Sequence, residues 1–140
     1  MISVNPYLNF NGNAEEAFNF YRSVFGGEFI VLQRFKDTPE KDSVATNDQE
    51  KIMHISLPIG EANILMATDA LESAERSLTN GNNMHLSIST DSNDETKRIF
   101  TGLSAGGRIT VPLGKTFWGS YFGMCTDKYD IQWMVSNDEK

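Results

Sequence analysis

Apolar and polar side chains alternate from Val4 to Phe10, with Val4, Leu8 and Phe10 on one side and Asn5, Tyr7 and Asn9 on the other. That period of two predicts a strand with one face turned to a core. Then the period changes. Ala14, Ala17, Phe18, Tyr21 and Phe25 line up only on a helix, where they form one apolar stripe. Asn13, with Glu16 three residues later, has the composition of a reciprocal helix cap, and Gly26-Gly27 is a helix stop. Three more strands are predicted over Glu28 to Phe35, Lys51 to Ile59 and Ala62 to Thr68, the last two joined by a tight turn at Gly60-Glu61. The stretch from Lys36 to Glu50 is charged and aperiodic, and is expected to be a surface loop.

The same succession follows again. Met84 to Thr90 alternates Met84, Leu86 and Ile88 with His85, Ser87 and Ser89, and a helix is expected from Asp94 to Ala105 with Ile99, Phe100 and Leu103 as its stripe. Gly106-Gly107 ends it, and strands are predicted over Arg108 to Leu113, Phe117 to Thr126 and Ile131 to Ser136. Identities keep step: Asn13, Glu15, Phe20, Gly26 and Gly27 recur eighty positions later as Asn93, Glu95, Phe100, Gly106 and Gly107. Strand, helix, then three strands, twice over, cannot be a doubly wound sheet. The expected fold is α+β: two βαβββ modules forming a curved mixed β-sheet cup within one domain, residues 1–140. The modules cover about 1–68 and 83–136, joined by a linker at 69–82 with a helical turn around Leu71 to Leu78. In each module the polar side of the first strand faces away from the helix, so the two polar faces would meet in the cup.

Charge narrows the partners. The formal net charge is −7 with no basic cluster, which argues against nucleic acid, whose phosphates demand Lys and Arg. No apolar run approaches a membrane span, and the N-terminus lacks a secretory pattern, so a cytoplasmic protein is expected. Cys125 is the single cysteine, set among apolar neighbours as a buried small side chain rather than a nucleophile. The glycine pairs stand at the wrong helix end to cradle phosphate. No Gly-rich turn follows the first strand to seat a nucleoside cofactor.

Several stretches carry a resemblance: Pro6-Tyr7-Leu8-Asn9-Phe10 with Gly12-Asn13, Phe20-Tyr21 with Phe25-Gly26, Thr116-Phe117-Trp118-Gly119, Phe122-Gly123, and Thr126-Asp127-Lys128-Tyr129 with Trp133-Met134. Together they resemble the vicinal oxygen chelate (glyoxalase/bleomycin resistance/dioxygenase) superfamily. The closer likeness is to its PhnB-like branch, which is labelled as 3-demethylubiquinone methyltransferase-like. The resemblance implies the paired βαβββ fold, a homodimer, and a small-molecule site. In enzymes of the superfamily that site holds one divalent metal through four side chains, from a first strand, a fourth strand, the start of the second half and the last strand. Those positions fall here on Asn5, Met66, His85 and Met134, and only His85 matches the expected donors. Thioethers and a neutral amide are poor ligands for Zn, Fe, Mn or Ni. The expectation is therefore no metal and no cofactor.

The ligand pocket is expected from Asn5, Tyr7, Asn9, Met66, His85, Ser87, Trp118, Phe122 and Met134, with His85 as the candidate catalytic base. Each has a plainer explanation: methionines fill cores, aromatics pack sheets, and a histidine is often only hydrogen-bonded. His54, in an apolar strand, is expected to be such a buried, hydrogen-bonded residue. Two functions follow. One is a small-molecule-binding protein with a degenerate metal site. The other is a lyase or dioxygenase-type enzyme, metal-dependent through His85 and unrecognised ligands, or a metal-free acid/base catalyst using His85.

Overall fold

The structure is a computed structural model that describes residues 1–72 and 78–138. It divides into two compact units, residues 1–79 and 80–140. The helical turn expected around Leu71 to Leu78 falls largely outside the described residues.

The first unit is a four-stranded mixed sheet and one helix. Strands β1 (Tyr7–Phe10), β2 (Val31–Arg34), β3 (Ile52–Ile59) and β4 (Asn63–Asp69) lie in the order β1-β4-β3-β2. The β1–β4 pair is parallel and the others are antiparallel. Helix α1 (Ala14–Phe25) packs on β3 and β4 through Ala14, Ala17, Phe18, Tyr21 and Val24, all buried. From the sheet, Phe10, Ile55, Leu57, Leu65 and Ala67 are buried as well. Phe18 contacts Phe10 and Tyr21 edge-on, at ring distances of 6.4 Å and 5.6 Å. Alternate positions of β1, β3 and β4 thus supply the sheet side of the core, while β2 is buried at none of its four positions.

Two local expectations are corrected. The Asn13 side chain makes no capping hydrogen bond. The cap comes from another strand: Asp69 Oδ1 accepts from the backbone N–H of Gly12 and Ala14 at 3.1 and 2.9 Å, and its Oδ2 from Ile52 N–H at 2.8 Å. A carboxylate at a helix N-terminus gains from both the free N–H groups and the helix dipole. The expected loop at Lys36 to Glu50 contains three short 3₁₀ turns, Phe35–Asp37, Lys41–Ser43 and Thr46–Asp48. Asp48 is fully buried there and pairs with Lys51 Nζ at 2.8 Å, which holds the Lys51 ammonium above its ordinary pKa.

The second unit repeats the plan. Strands β5 (Leu86–Ser89), β6 (Arg108–Lys115), β7 (Ser120–Thr126) and β8 (Gln132–Asp138) lie in the order β5-β8-β7-β6, with β5–β8 parallel. Helix α2 (Asn93–Ser104) rests on β6, β7 and β8 through Thr96, Ile99, Phe100 and Leu103. Here the cap is local: Ser92 Oγ accepts from Glu95 N–H at 3.1 Å. Gly123 lets the helix sit close, since a Cβ there would come within 2.8 Å of Phe100 Cε1. The strand expected from Phe117 starts at Ser120. Thr116 pairs with Ser120 through backbone and side chain, and Gly119 takes a positive φ of 97°, so Phe117 and Trp118 stand in the β6–β7 turn.

The repeat is real, though not uniform. The Tyr7–Met66 rung of the first sheet has its counterpart eighty residues on from Tyr7 in the Ser87–Met134 rung. The helices start one residue short of that spacing, at Ala14 and Asn93, because one is capped from β4 and the other by its own Ser92. Asn13 therefore precedes its helix while Asn93 begins one, and Phe20 is half-buried where Phe100 is buried.

Candidate functional site

In each unit the helix covers one sheet face, and the candidate residues lie on the other. On the first sheet Tyr7, Met66, Ser56 and Val31 form one rung across all four strands. Asn9 with Thr68 and Gln33 with His54 belong to the next. The Tyr7 and His54 rings stack at 5.9 Å, and His54 Nε2 hydrogen-bonds Ser56 Oγ at 3.2 Å. His54 is half-buried rather than buried. Asn5 precedes β1, and its Oδ1 accepts from Ile64 N–H at 3.0 Å, prolonging the parallel ladder with a side chain.

On the second sheet Ser87, Met134, Met124 and Val111 share a rung, flanked by Ser136 with Phe122 on one side and Gln132 with Thr126 and Arg108 on the other. His85 stands just before β5 with the parity of Ser87. Trp118 reaches Phe122 edge-to-face at 5.8 Å, and Phe117 reaches Trp118 at 4.9 Å. Phe117 and Trp118 are 98% and 58% exposed, so this aromatic corner is open to solvent. Within this unit Ser87, Trp118, Phe122 and Met134 are thus brought to one face. Tyr7, Asn9 and Met66 share the corresponding face of the first unit.

A polar hollow of about 860 Å³ opens at the start of α2. Several of its groups are already engaged: Ser92 caps the helix, Thr90 bonds Thr96, and Asn137 bonds Asn93.

The donors at the four positions that the resemblance implies for a metal can be judged one by one. Asn5 has committed its oxygen to the backbone, Met66 and Met134 offer thioethers, and His85 offers an imidazole. Among the described residues no group of three or more His, Cys, Asp or Glu side chains is arranged to hold a metal. This set does not fit the divalent ion that the superfamily's enzymes carry.

The family model described as 3-demethylubiquinone-9 3-methyltransferase matches residues 3–136. The chain belongs to this PhnB-like family. It is 30% identical to Protein YjdN of Escherichia coli K12 over 95% of this chain and 93% of that one. Among solved structures, protein PA1353 from Pseudomonas aeruginosa is 36% identical with a TM-score of 0.88, each chain covered fully. A PhnB protein from Bacillus cereus is 26% identical with a TM-score of 0.76, covering 97% of this chain and 99% of that one. A glyoxalase/bleomycin resistance protein/dioxygenase family enzyme from Burkholderia phytofirmans shares the fold at 17% identity, with a TM-score of 0.61 and coverage of 96% and 99%. The α+β architecture of two mixed four-stranded sheets with two helices is thus shared with structures of the glyoxalase/bleomycin resistance/dioxygenase type. No helix among the described residues is long and apolar enough to cross a membrane.

Sequence reasoning missed several residues on these faces, among them Ser56, Gln33, Met124, Arg108, Thr126 and Gln132. The signal for Ser56 was present, because it alternates with Ile55 and Leu57. For Arg108, Thr126 and Gln132 it was absent, since cross-strand register decides which residues share a rung.

Proposed function

We propose that this PhnB-like protein binds a small organic molecule on the helix-free faces of its sheets and does so without a resident divalent metal. The donor chemistry at the four superfamily positions carries this reading. An engaged amide, two thioethers and one imidazole leave His85 as the only donor suited to such an ion, and one imidazole does not retain a labile metal against water. A ligand on the face of the first unit would meet Tyr7, Asn9 and Met66, and one on the face of the second would meet His85, Ser87, Trp118, Phe122 and Met134. Flexible thioethers and aromatic rings suit apolar bodies of irregular or flat shape. Asn5 contributes through its free amide N–H groups. A cytoplasmic homodimer is the proposed form, and methyl transfer, which the family's label names, is not assigned.

Elemental analysis of protein purified without chelators tests the metal half, with well under one divalent ion per chain expected. A stoichiometric ion would overturn it. Thermal-shift screening tests the other half: apolar or aromatic small molecules should raise the melting temperature, and Met134→Lys should abolish that gain. Turnover of a bound compound that disappears in His85→Ala would make the protein an enzyme with His85 as its base.

A further inference from the structure

The second sheet ends in a feature that the metal positions do not touch. A cavity of about 380 Å³ lies against the far rung of its helix-free face, lined by Asn80, Asn82, Arg108, Thr126, Asp130 and Gln132. Its walls carry opposite charges that do not satisfy each other. Arg108 is exposed and forms no ion pair among the described residues. Asp130 accepts from Asn80 Nδ2 at 3.2 Å through Oδ2, leaving its other oxygen available. Asp130 also has a φ of 69°, the one non-glycine residue with a positive φ among those described. That left-handed backbone is a conformation Asp tolerates better than most residues. Gln132 gives its Nε2 to the Met84 carbonyl at 2.6 Å, which leaves its Oε1 free to accept. Thr126 is almost fully buried, and its Oγ1 has no hydrogen-bond partner, which a native interior rarely leaves without reason.

We propose that this cavity receives the zwitterionic head of an amino acid-like ligand. The carboxylate meets the Arg108 guanidinium, the ammonium meets Asp130, and the apolar side chain lies over Met124 and Met134. Planar guanidinium suits a carboxylate through paired hydrogen bonds. The next rung along the same face is Val111, Met124, Met134 and Ser87, and successive same-face rungs are roughly 7 Å apart. That step spans the distance from an amino acid's head to its aromatic ring. A simple anion would be repelled by Asp130, and a simple cation by Arg108. A molecule bearing both charges complements both.

This inference rests on the small-molecule reading above and names its ligand class. Isothermal titration at neutral pH with L-phenylalanine, phenethylamine and 3-phenylpropionate tests it, using the full chain. Phenylalanine should bind at least tenfold more tightly than either analogue. Arg108→Gln should reduce its affinity to that of the amine, and Asp130→Asn to that of the acid. Both positions are exposed, and a thermal melt confirms that each variant folds. Equal binding of the three compounds, or no binding of phenylalanine, overturns the zwitterion proposal. In that event Met134→Lys separates the two readings. If it abolishes thermal shifts from other aromatic compounds while Arg108→Gln does not, the binding face stands and only the head group is wrong. If neither variant matters, both readings fall.

Discussion

Asp127 shows how much one buried side chain can organise. Its Oδ1 accepts from the N–H groups of Tyr129 and Ile131 at 2.8 and 3.1 Å, and its Oδ2 from the Trp133 indole at 2.8 Å. Removing it leaves a buried indole N–H unsatisfied, at a cost of about 1–3 kcal/mol. Asp127→Ala should therefore lower the midpoint of urea unfolding and alter tryptophan fluorescence, because Trp133 is one of two tryptophans. Cys125 is fully buried, and burial, with the Asp127 charge nearby, raises its thiol pKa to about 11. An unfolded cysteine ionises near about 8.5. The unfolded chain thus loses its proton first, and the thiol's share of stability is complete below that pH and lost as pH rises toward about 11. Cys125→Ala should flatten this alkaline loss in a series of melts, and thiol reagents at pH 8 should label the native protein far more slowly than the unfolded chain. At Gly123, substitution by Val should cost at least about 1–3 kcal/mol by driving Phe100 off the sheet, read as a lower melting temperature.

Elements were legible where one periodicity ran long enough. Both helices stand out because Phe18 and Tyr21, and Ile99 and Leu103, recur at helical spacing and bury together. Their starts were only half legible. Asn13 looks like a cap by composition, yet the first helix is held by Asp69, which lies over fifty residues away in sequence. Neighbour-based reading does not reach a partner that the fold supplies. Asp69→Ala should accordingly cost roughly 2–4 kcal/mol, since three backbone N–H groups lose their acceptor. Glu15 joins α1 to β2 through two hydrogen bonds from Arg34, at 3.0 and 2.8 Å. Those bonds hold the Glu15 carboxyl below its ordinary pKa, so their contribution is present above the unfolded carboxylate's pKa and fades as pH falls through the lowered value. With Glu15 partly exposed, Glu15→Gln should change stability by less than about 1 kcal/mol near neutral pH.

For the whole molecule, the duplicated βαβββ order and the superfamily resemblance point to the same α+β architecture. The chemistry of the site was partly legible. At Asn5, Met66 and Met134, the positions that the resemblance implies for metal ligands, residue identity alone tells that an amide and two thioethers stand there. The polar row of Arg108, Thr126 and Gln132 could not, because it exists only once three strands have fixed their register. Dialysis against a chelator should leave the melting temperature unchanged, and a fall of several degrees would mean a structural ion had been stripped. Each sheet turns one parity of residues toward its helix and leaves much of the other parity less tightly packed, with Ser87 exposed and Met124 and Met134 half-buried. Exchanges at Ser87, Met124 or Met134 should therefore cost less in folding than exchanges at the buried Trp133 or Val135, and under the proposed function they would alter what is recognised. Under the proposed function, a scaffold divided this way lets selection retune its preference for a guest many times over while the skeleton beneath goes untouched.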